Sequence, residues 1–524
     1  MSTGKETNGN NKVVSMEDIC ANENSLNKHA CACVLAATII SAIFGYTEQN
    51  RLINKNNFSV TGVMAGALLF IKEELMISDM QVQLLAGILN VCALPACMIA
   101  GRLSDYIGRR YTIMLSSIFF FLGSTLMGYG SSFPILITGR SIAGFGVGFA
   151  LIIAPVYSAE ISSPSYRGFL TSLPDLSINI GFLLGYVSNF FLGKLSLRLG
   201  WRIMLAIPSI PSIGLVILML KLVESPRWLV MQGRLGDSRK VLLLISSSKE
   251  EAEKRLKEIK IAVGIDENCI QNIVHVPHKT KSGGGALKEM FYKPPPHVSR
   301  ILFAAIGVHV FQQICGVEGI AVYSPRVFER TGITEKSTLL LATVGIGISQ
   351  TLFTLLSSFL LDKIGRRTLL LVSSGGVVVS MLGLSIFSAI VENSKLGEEP
   401  LWAIIFIVVV VYILMAFNAI GIGPVTWVYS SEIFPLRLRA QGLGVCVVVN
   451  RITNVAVVTS FISIFKTITL GGTFFMLVGI NALGWWFYYS FLPETKGRSL
   501  EDMETIFGKD SKVEVQMKSG SNNA

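Results

Sequence analysis

The sequence predicts an all-α, polytopic membrane protein, with about twelve transmembrane helices in two pseudo-symmetric six-helix bundles. Three observations carry this. Hydrophobic residues make up 51% of the chain and charged residues 15%, with a mean hydropathy of +0.57, whereas a soluble domain carries about 25% charge. The apolar runs number about twelve by the ~20-residue criterion for a spanning helix. The loop motifs between those runs occur twice: Asp105-Tyr106-Ile107-Gly108-Arg109-Arg110 returns as Asp362-Lys363-Ile364-Gly365-Arg366-Arg367. Glu160 with Arg167 returns at the same spacing as Glu432 with Arg439, and Glu224-Ser225-Pro226-Arg227 is echoed by Pro493-Glu494-Thr495-Lys496-Gly497.

The elements follow in order. Residues 1–29 are polar, Asn-containing and free of an apolar run; they read as a disordered cytosolic tail, not a signal peptide. Residues 30–222 form the first bundle, with spans at 30–72 (interrupted at 47–60), 80–103, 111–130, 133–158, 168–193 and 201–222. Residues 223–298 are polar and form a cytosolic linker. Apolar and charged residues alternate at helical spacing over 235–263, which predicts short surface helices. Gly283-Gly284-Gly285 and Pro294-Pro295-Pro296 break any continuous helix there. Residues 299–492 form the second bundle, with spans at 299–325, 337–361, 367–391, 401–430, 439–465 and 471–492, and 493–524 form a second cytosolic tail. The net charge of +11 sits beside apolar runs, which fits the positive-inside bias better than nucleic-acid binding and puts both tails in the cytosol. Cys31, Cys33, Cys92, Cys97, Cys315 and Cys446 fall in apolar runs and read as small buried hydrophobes.

The loop motifs have a physical reading. Gly101, one turn before Asp105, allows close helix approach. Asp105 and Asp362 can accept hydrogen bonds from a helix start or an arginine. Glu160 and Arg167, with Glu432 and Arg439 in the second half, flank the next turn and are positioned to pair with Arg109, Arg110, Arg366 or Arg367. Such a cluster would latch the cytosolic ends together in one state and release them in another. The bland alternative is a topology signal with solvated charges.

Polar side chains inside spans are costly and mark candidate sites. Helix five carries Asp175, Asn179 and Asn189; helix seven Gln312, Gln313 and Glu318; helix eight Gln350; helix ten Asn418 and Trp427; helix eleven Asn450, Arg451 and Asn454. Amides and carboxylates suit a neutral polyhydroxylated ligand, because each hydroxyl both donates and accepts. Trp427 offers a face for a sugar's C–H groups. Interhelical hydrogen bonding and ordinary packing are the competing readings for these residues. Gly421, Gly423 and Pro424 are expected to break helix ten beside a cavity. The set suggests a small-molecule carrier; neither a nucleophile–base pair nor a metal-ligand spacing points to an enzyme or a cofactor.

These motifs resemble the sugar porter family of the major facilitator superfamily. The carriers are Gly101 to Arg110, Arg140-x-x-x-Gly144-x-Gly146-x-Gly148, Glu224-Ser-Pro-Arg-Trp-Leu229, Gln312-Gln313-x-x-Gly316 and Pro493-Glu-Thr-Lys-Gly497. The runs from Tyr323 to Phe328 and from Gly423 to Gly442 are similar to the plant polyol/monosaccharide transporter branch. That resemblance implies alternating access, proton-coupled uptake of polyols, cyclitols or monosaccharides at the plasma membrane, and sugar contacts for Gln312, Gln313, Trp427 and Asn450 or Asn454. A monomer in the bilayer is the expected state. A sensor that binds sugar without moving it would share every motif.

This chain also departs from the family pattern. It has Asp175 and Glu318 where many hexose carriers have amides; either acid is a candidate for proton coupling. Ser358 stands where the first half has Gly101. In helix one the family reads Gly-Tyr-Asp-Thr-Gly-Val-Met, and its Asp is the proposed proton carrier. Here Gly45-Tyr46 is followed by a polar segment with Glu48, Arg51 and Lys55 before Thr61-Gly62-Val63-Met64. Read as one interrupted helix, the halves at 31–46 and 61–71 are each too short to span, since roughly 20 residues are needed. The segment then reads as a gene-model artefact or a transport-defective variant. The competing reading has Glu48 replace the lost Asp, facing Arg140.

Overall fold

The computed structural model describes residues 27–48, 71, 74–192, 195, 197–269, 271–276, 286–292, 294–320, 336–393, 401–498 and 500. The first bundle comprises α1 (Lys28–Glu48), α2 (Asp79–Ile107), α3 (Arg109–Tyr129), α4 (Phe133–Ile161), α5 (Arg167–Leu192) and the pair α6 (Leu197–Ala206) and α7 (Ser209–Lys221). The linker contributes α8 (Pro226–Met231), α9 (Leu235–Ile245), α10 (Lys249–Val263) and α11 (Ala286–Phe291). The second bundle comprises α12 (Pro296–Ile314), α13 (Lys336–Ile364), α14 (Arg366–Glu392), α15 (Leu401–Phe417), α16 (Gly423–Ile433), α17 (Arg439–Thr467) and α18 (Leu470–Phe491).

Among the described residues, 11 helices are long and apolar enough to cross a membrane. Helix α5 adds a further 26 residues, enough for a ~30 Å core at ~1.5 Å per residue. Beside a small cluster of Met290, Val298 and Leu438 there are two large hydrophobic cores among the described residues. One joins α1–α7 to the linker through Leu242, Leu256 and Ile259; the other fills the second bundle around Leu370, Val411 and Phe474. Linker helices α8–α10 are therefore docked on the first bundle, while α11 meets the second through Met290 against Val298 and Leu438 and through Glu289 with Arg437. Buried Arg255 on α10 donates to the carbonyls of Ile161 and Ser162, at 3.2 and 3.1 Å, where the last C=O groups of α4 have no helical partner.

Helix one corrects the sequence reading. Asn27 caps α1 by accepting the backbone N–H of His29 and Ala30 at 2.8 and 3.3 Å. The cap extends the helix at its start, so α1 reaches 21 residues and meets the spanning criterion by itself. Glu48 lies at its end and not at its middle. The premise that the first half of helix one cannot span is overturned. Arg51, Lys55 and the rest of the polar segment lie outside the described residues, as do Tyr323–Phe328 and the side chain of Asn189.

The expected break in helix ten is a π turn over Asn418–Ile422, followed by α16 with Pro424 in its first turn. Proline has no N–H to continue the ladder. Ser373 on α14 mends the gap: its hydroxyl donates to Phe417 O at 2.6 Å and accepts from Ile422 N at 3.0 Å.

Candidate functional site

Two arrays of polar side chains stand out. The first lies on the face that carries the duplicated loops. Arg109 and Glu160 are fully buried and make a two-pronged pair, Nε to Oε2 at 3.0 Å and Nη2 to Oε1 at 3.2 Å. Their counterparts Arg366 and Glu432 meet at 2.9 Å. In each half the arginine also reaches the aspartate of its own loop at 3.2 Å, Asp105 or Asp362. Glu160 therefore takes Arg109 as its partner, while Arg110 donates through Nη2 to Leu220 O and Arg367 does the same to Tyr489 O.

The third motif, to which no role was given from sequence, closes each cluster. Glu224 accepts the N–H groups of Arg109 and Arg110 at 3.0 and 3.2 Å, and Glu494 accepts those of Arg366 and Arg367 at 2.9 and 3.0 Å. A carboxylate at a helix start meets unpaired donors and the positive end of the dipole. Burial pushes the Glu224 carboxyl above its ordinary value, against the pull of those N–H groups. Gly108 and Gly365 sit at φ of 100° and 103°, a region that favours glycine, and a Cβ at either would collide with the capping glutamate. Ser225 and Thr495 donate to Glu160 and Glu432 at 2.5 and 3.0 Å.

The contacts between bundles on this face are made by other members of the set. Asp362 accepts Gly168 N and Phe169 N at the start of α5, both at 2.8 Å. Asp105 accepts Gln441 Nε2 from α17 at 3.3 Å. Arg439 approaches Glu160 at 3.8 Å, and Arg167 donates to Arg498 O at 2.9 Å. A Cβ on Gly101 would lie 2.8 Å from Ala440 O, so that glycine permits a close approach of α2 and α17.

The second array runs from the last turn of α12 to α17 and the break in helix ten. Its side chains form a ladder of amides between α12 and α17. Gln312 Nε2 donates to Gly423 O at 3.3 Å, and Asn450 Nδ2 to Gln312 Oε1 at 2.9 Å. Gln313 Nε2 donates to Asn450 Oδ1 at 3.2 Å, and Asn454 Nδ2 to Gln313 Oε1 at 2.7 Å. Beside it, Trp427 and Asp175 line a narrow cavity with Phe44, Ser41, Pro155 within α4 and Pro174 within α5. A Cβ on Gly423 would stand 3.9 Å from Asp175 Oδ2. Asp175, Gln312 and Trp427 therefore converge on the break in helix ten. Asn418 is the first residue of the π turn. Asn179 donates to Thr354 Oγ1 at 3.3 Å, joining α5 to α13.

Other candidates stand apart. Gln350 contacts Met415 Sδ at 3.6 Å, within its own bundle. Glu318 is a charged neighbour of Asp175, but its side chain is exposed and not in the poorly hydrated setting expected for it. Glu48 forms its ion pair with Arg451 on α17, which bridges the bundles. Glu48 is also a charged neighbour of Arg140, which donates through Nη1 to Thr47 O at 3.2 Å and through Nε to Leu85 O at 3.4 Å. Helix α1 ends at Glu48, so its last carbonyls have no helical partner, and one of them meets Arg140. Arg451 also lies 5.7 Å over the ring of Phe44, above the cavity.

Comparisons with known proteins place these arrays in a wider setting. The family model described as "Sugar (and other) transporter" matches residues 33–507. "Probable polyol transporter 6" of Arabidopsis thaliana is 49% identical over 485 residues, 93% of this chain and 95% of that protein. "Probable polyol transporter 3" of the same plant is 51% identical over 483 residues, 92% of each chain. Among solved structures, that of the proton:xylose symporter XylE bound to 6-bromo-6-deoxy-D-glucose superposes with a TM-score of 0.74 at 25% identity, covering 91% of this chain and 99% of that one.

Proposed function

Because the chain belongs to the sugar (and other) transporter family, we propose that it carries a polyol or monosaccharide by alternating access, with proton symport. It is a multi-pass membrane transporter of the sugar and polyol class. The observation that carries the finer reading is the convergence of Asp175, Gln312 and Trp427 on the helix-ten break. A sugar's hydroxyls match the amide and carboxyl groups, and its C–H face matches the indole. Gln313, Asn450 and Asn454 hold Gln312 in place; Glu318, Gln350 and Asn418 complete the proposed set.

The bond from Gln312 to Gly423 O suggests how binding reaches the gate. A ligand hydroxyl that competes for Gln312 loosens the break. Opening toward the duplicated loops requires the ties from Asp362 to α5 and from Asp105 to Gln441 to part, so these, with Gly101, Arg109, Arg110, Glu160, Arg167, Arg366, Arg367, Glu432 and Arg439 around them, act as the latch. That face is cytosolic in our reading, with both termini, because it carries the Arg- and Lys-rich loops. A plasma-membrane monomer is the simplest setting. Protons are carried by Asp175, Glu318 or Glu48, with Arg140 beside the last.

The test is uptake into sealed vesicles bearing the full chain, over labelled sorbitol, mannitol, inositol, xylose and glucose, with and without an inward acid gradient. Accumulation driven by the gradient is expected. Binding without accumulation would overturn transport; accumulation indifferent to the gradient would overturn proton coupling.

A further inference from the structure

His309 on α12 is fully buried and belongs to none of the motifs above. Its ring stands edge-on to Trp427, with centroids 5.2 Å apart and planes at 80°, the T-shaped geometry that aromatic quadrupoles favour. Its Nε2 lies 3.1 Å from Ser430 Oγ. Ser430 Oγ also lies 2.8 Å from Thr426 O and 3.2 Å from Trp427 O, and the imidazole's tautomer sets which of His309 and Ser430 donates. The backbone carbonyl of His309 accepts Asn450 Nδ2 at 3.5 Å.

Trp427 and Ser430 are neighbours at i and i+3 on one face of α16. Two contacts from one rigid ring to successive turns fix the rotation of that helix about its axis. The rotation needs an external reference, because α16 starts at the π turn and is not a simple continuation of α15. The cavity is lined by Trp427 and not by His309. We propose that His309 is a positioning residue for sugar recognition, holding the indole of Trp427 in the orientation on which a sugar's C–H face packs. This rests on the reading of Trp427 as the stacking face.

The test is a double-mutant cycle on the full chain in liposomes. Initial uptake rates are measured for labelled sorbitol, xylose and myo-inositol, and the one taken up most efficiently is the probe. Trp427→Ala is expected to raise KM roughly three- to tenfold, the scale of a lost aromatic contact, and His309→Ala by a similar factor with kcat little changed. Because His309 acts through Trp427, adding His309→Ala to Trp427→Ala should raise KM no further. Ser430→Ala reaches the same contact from α16 and should also raise KM. His309→Gln, which keeps an N–H donor, should recover part of the loss. Additive effects in the cycle, with Trp427→Ala alone impaired, would overturn the role of His309 and leave the stacking face standing. An unchanged KM in Trp427→Ala would overturn the stacking face and this inference with it.

Discussion

The carboxylate of Asp362, at the end of α13, accepts the backbone N–H of Gly168, at the start of α5, at 2.8 Å. The two residues belong to different bundles, and Phe169 N shares the same carboxylate. Asp105 faces the start of α17 through a side chain instead, accepting Gln441 Nε2. Each half thus lends its loop aspartate to the other half's helix start.

Asp362→Asn should weaken this tie. It removes a negative charge from a helix N-terminus, worth ~0.3–1 kcal/mol and up to ~2 in partly buried sites. Two spin labels, one on each bundle's loop face, should show a larger fraction of the separated state. An unchanged distance distribution would mean that Asp362 does not set the conformational balance.

Arg109→Ala should act differently. Both members of the Arg109–Glu160 pair are fully buried, and removing one leaves an uncompensated charge, a cost of about 3–5 kcal/mol. The expected outcome is a marked fall in the melting temperature of the detergent-solubilised protein. Adding Glu160→Gln should restore part of it. A melting temperature equal to the parent's in Arg109→Ala would show that this pair is not a structural brace.

Gln312→Ala should raise the KM for substrate by a few-fold to about tenfold, the scale of one neutral hydrogen bond at ~0.5–1.5 kcal/mol. The same change also frees Gly423 O and Asn450 Nδ2, so kcat is expected to move as well. If neither constant changes, the sugar site lies elsewhere.

The Glu48–Arg451 pair joins α1 to α17 across the bundles, and neutralising Glu48 imitates its protonated form. Glu48→Gln is therefore expected to flatten the rise of uptake with external acidity. Asp175→Asn and Glu318→Gln, measured alongside, assign the coupling group by which profile flattens. A chain with 47–60 replaced by a single Asp gives the comparison for the polar segment. Uptake by the chain as written that matches the replaced form and is abolished by Glu48→Gln would establish Glu48 and dismiss the artefact reading.

Much was legible along the chain because it depends on near neighbours. Apolar runs of spanning length, the doubled loops and the Gly421–Pro424 punctuation are each set by composition and by local backbone chemistry, and they predict bundles, pseudo-symmetry and a break in helix ten, which the structure places at Asn418–Ile422. The acids and amides of helices five, seven and eleven were visible as polar groups in apolar surroundings. Their partners were not. That Glu160 takes Arg109 and not Arg110, that Gln313 is held by Asn450 and Asn454, that Ser373 mends helix ten, and that Glu48 meets Arg451 are contacts between helices distant in sequence. His309 gave no signal at all, since one imidazole in an apolar run reads as core. Hydropathy and spacing specify which face of a helix is buried, but the rotation and offset of one helix against another follow from side-chain packing across the bundle. Only that packing decides which buried donor lies within hydrogen-bond reach of which acceptor.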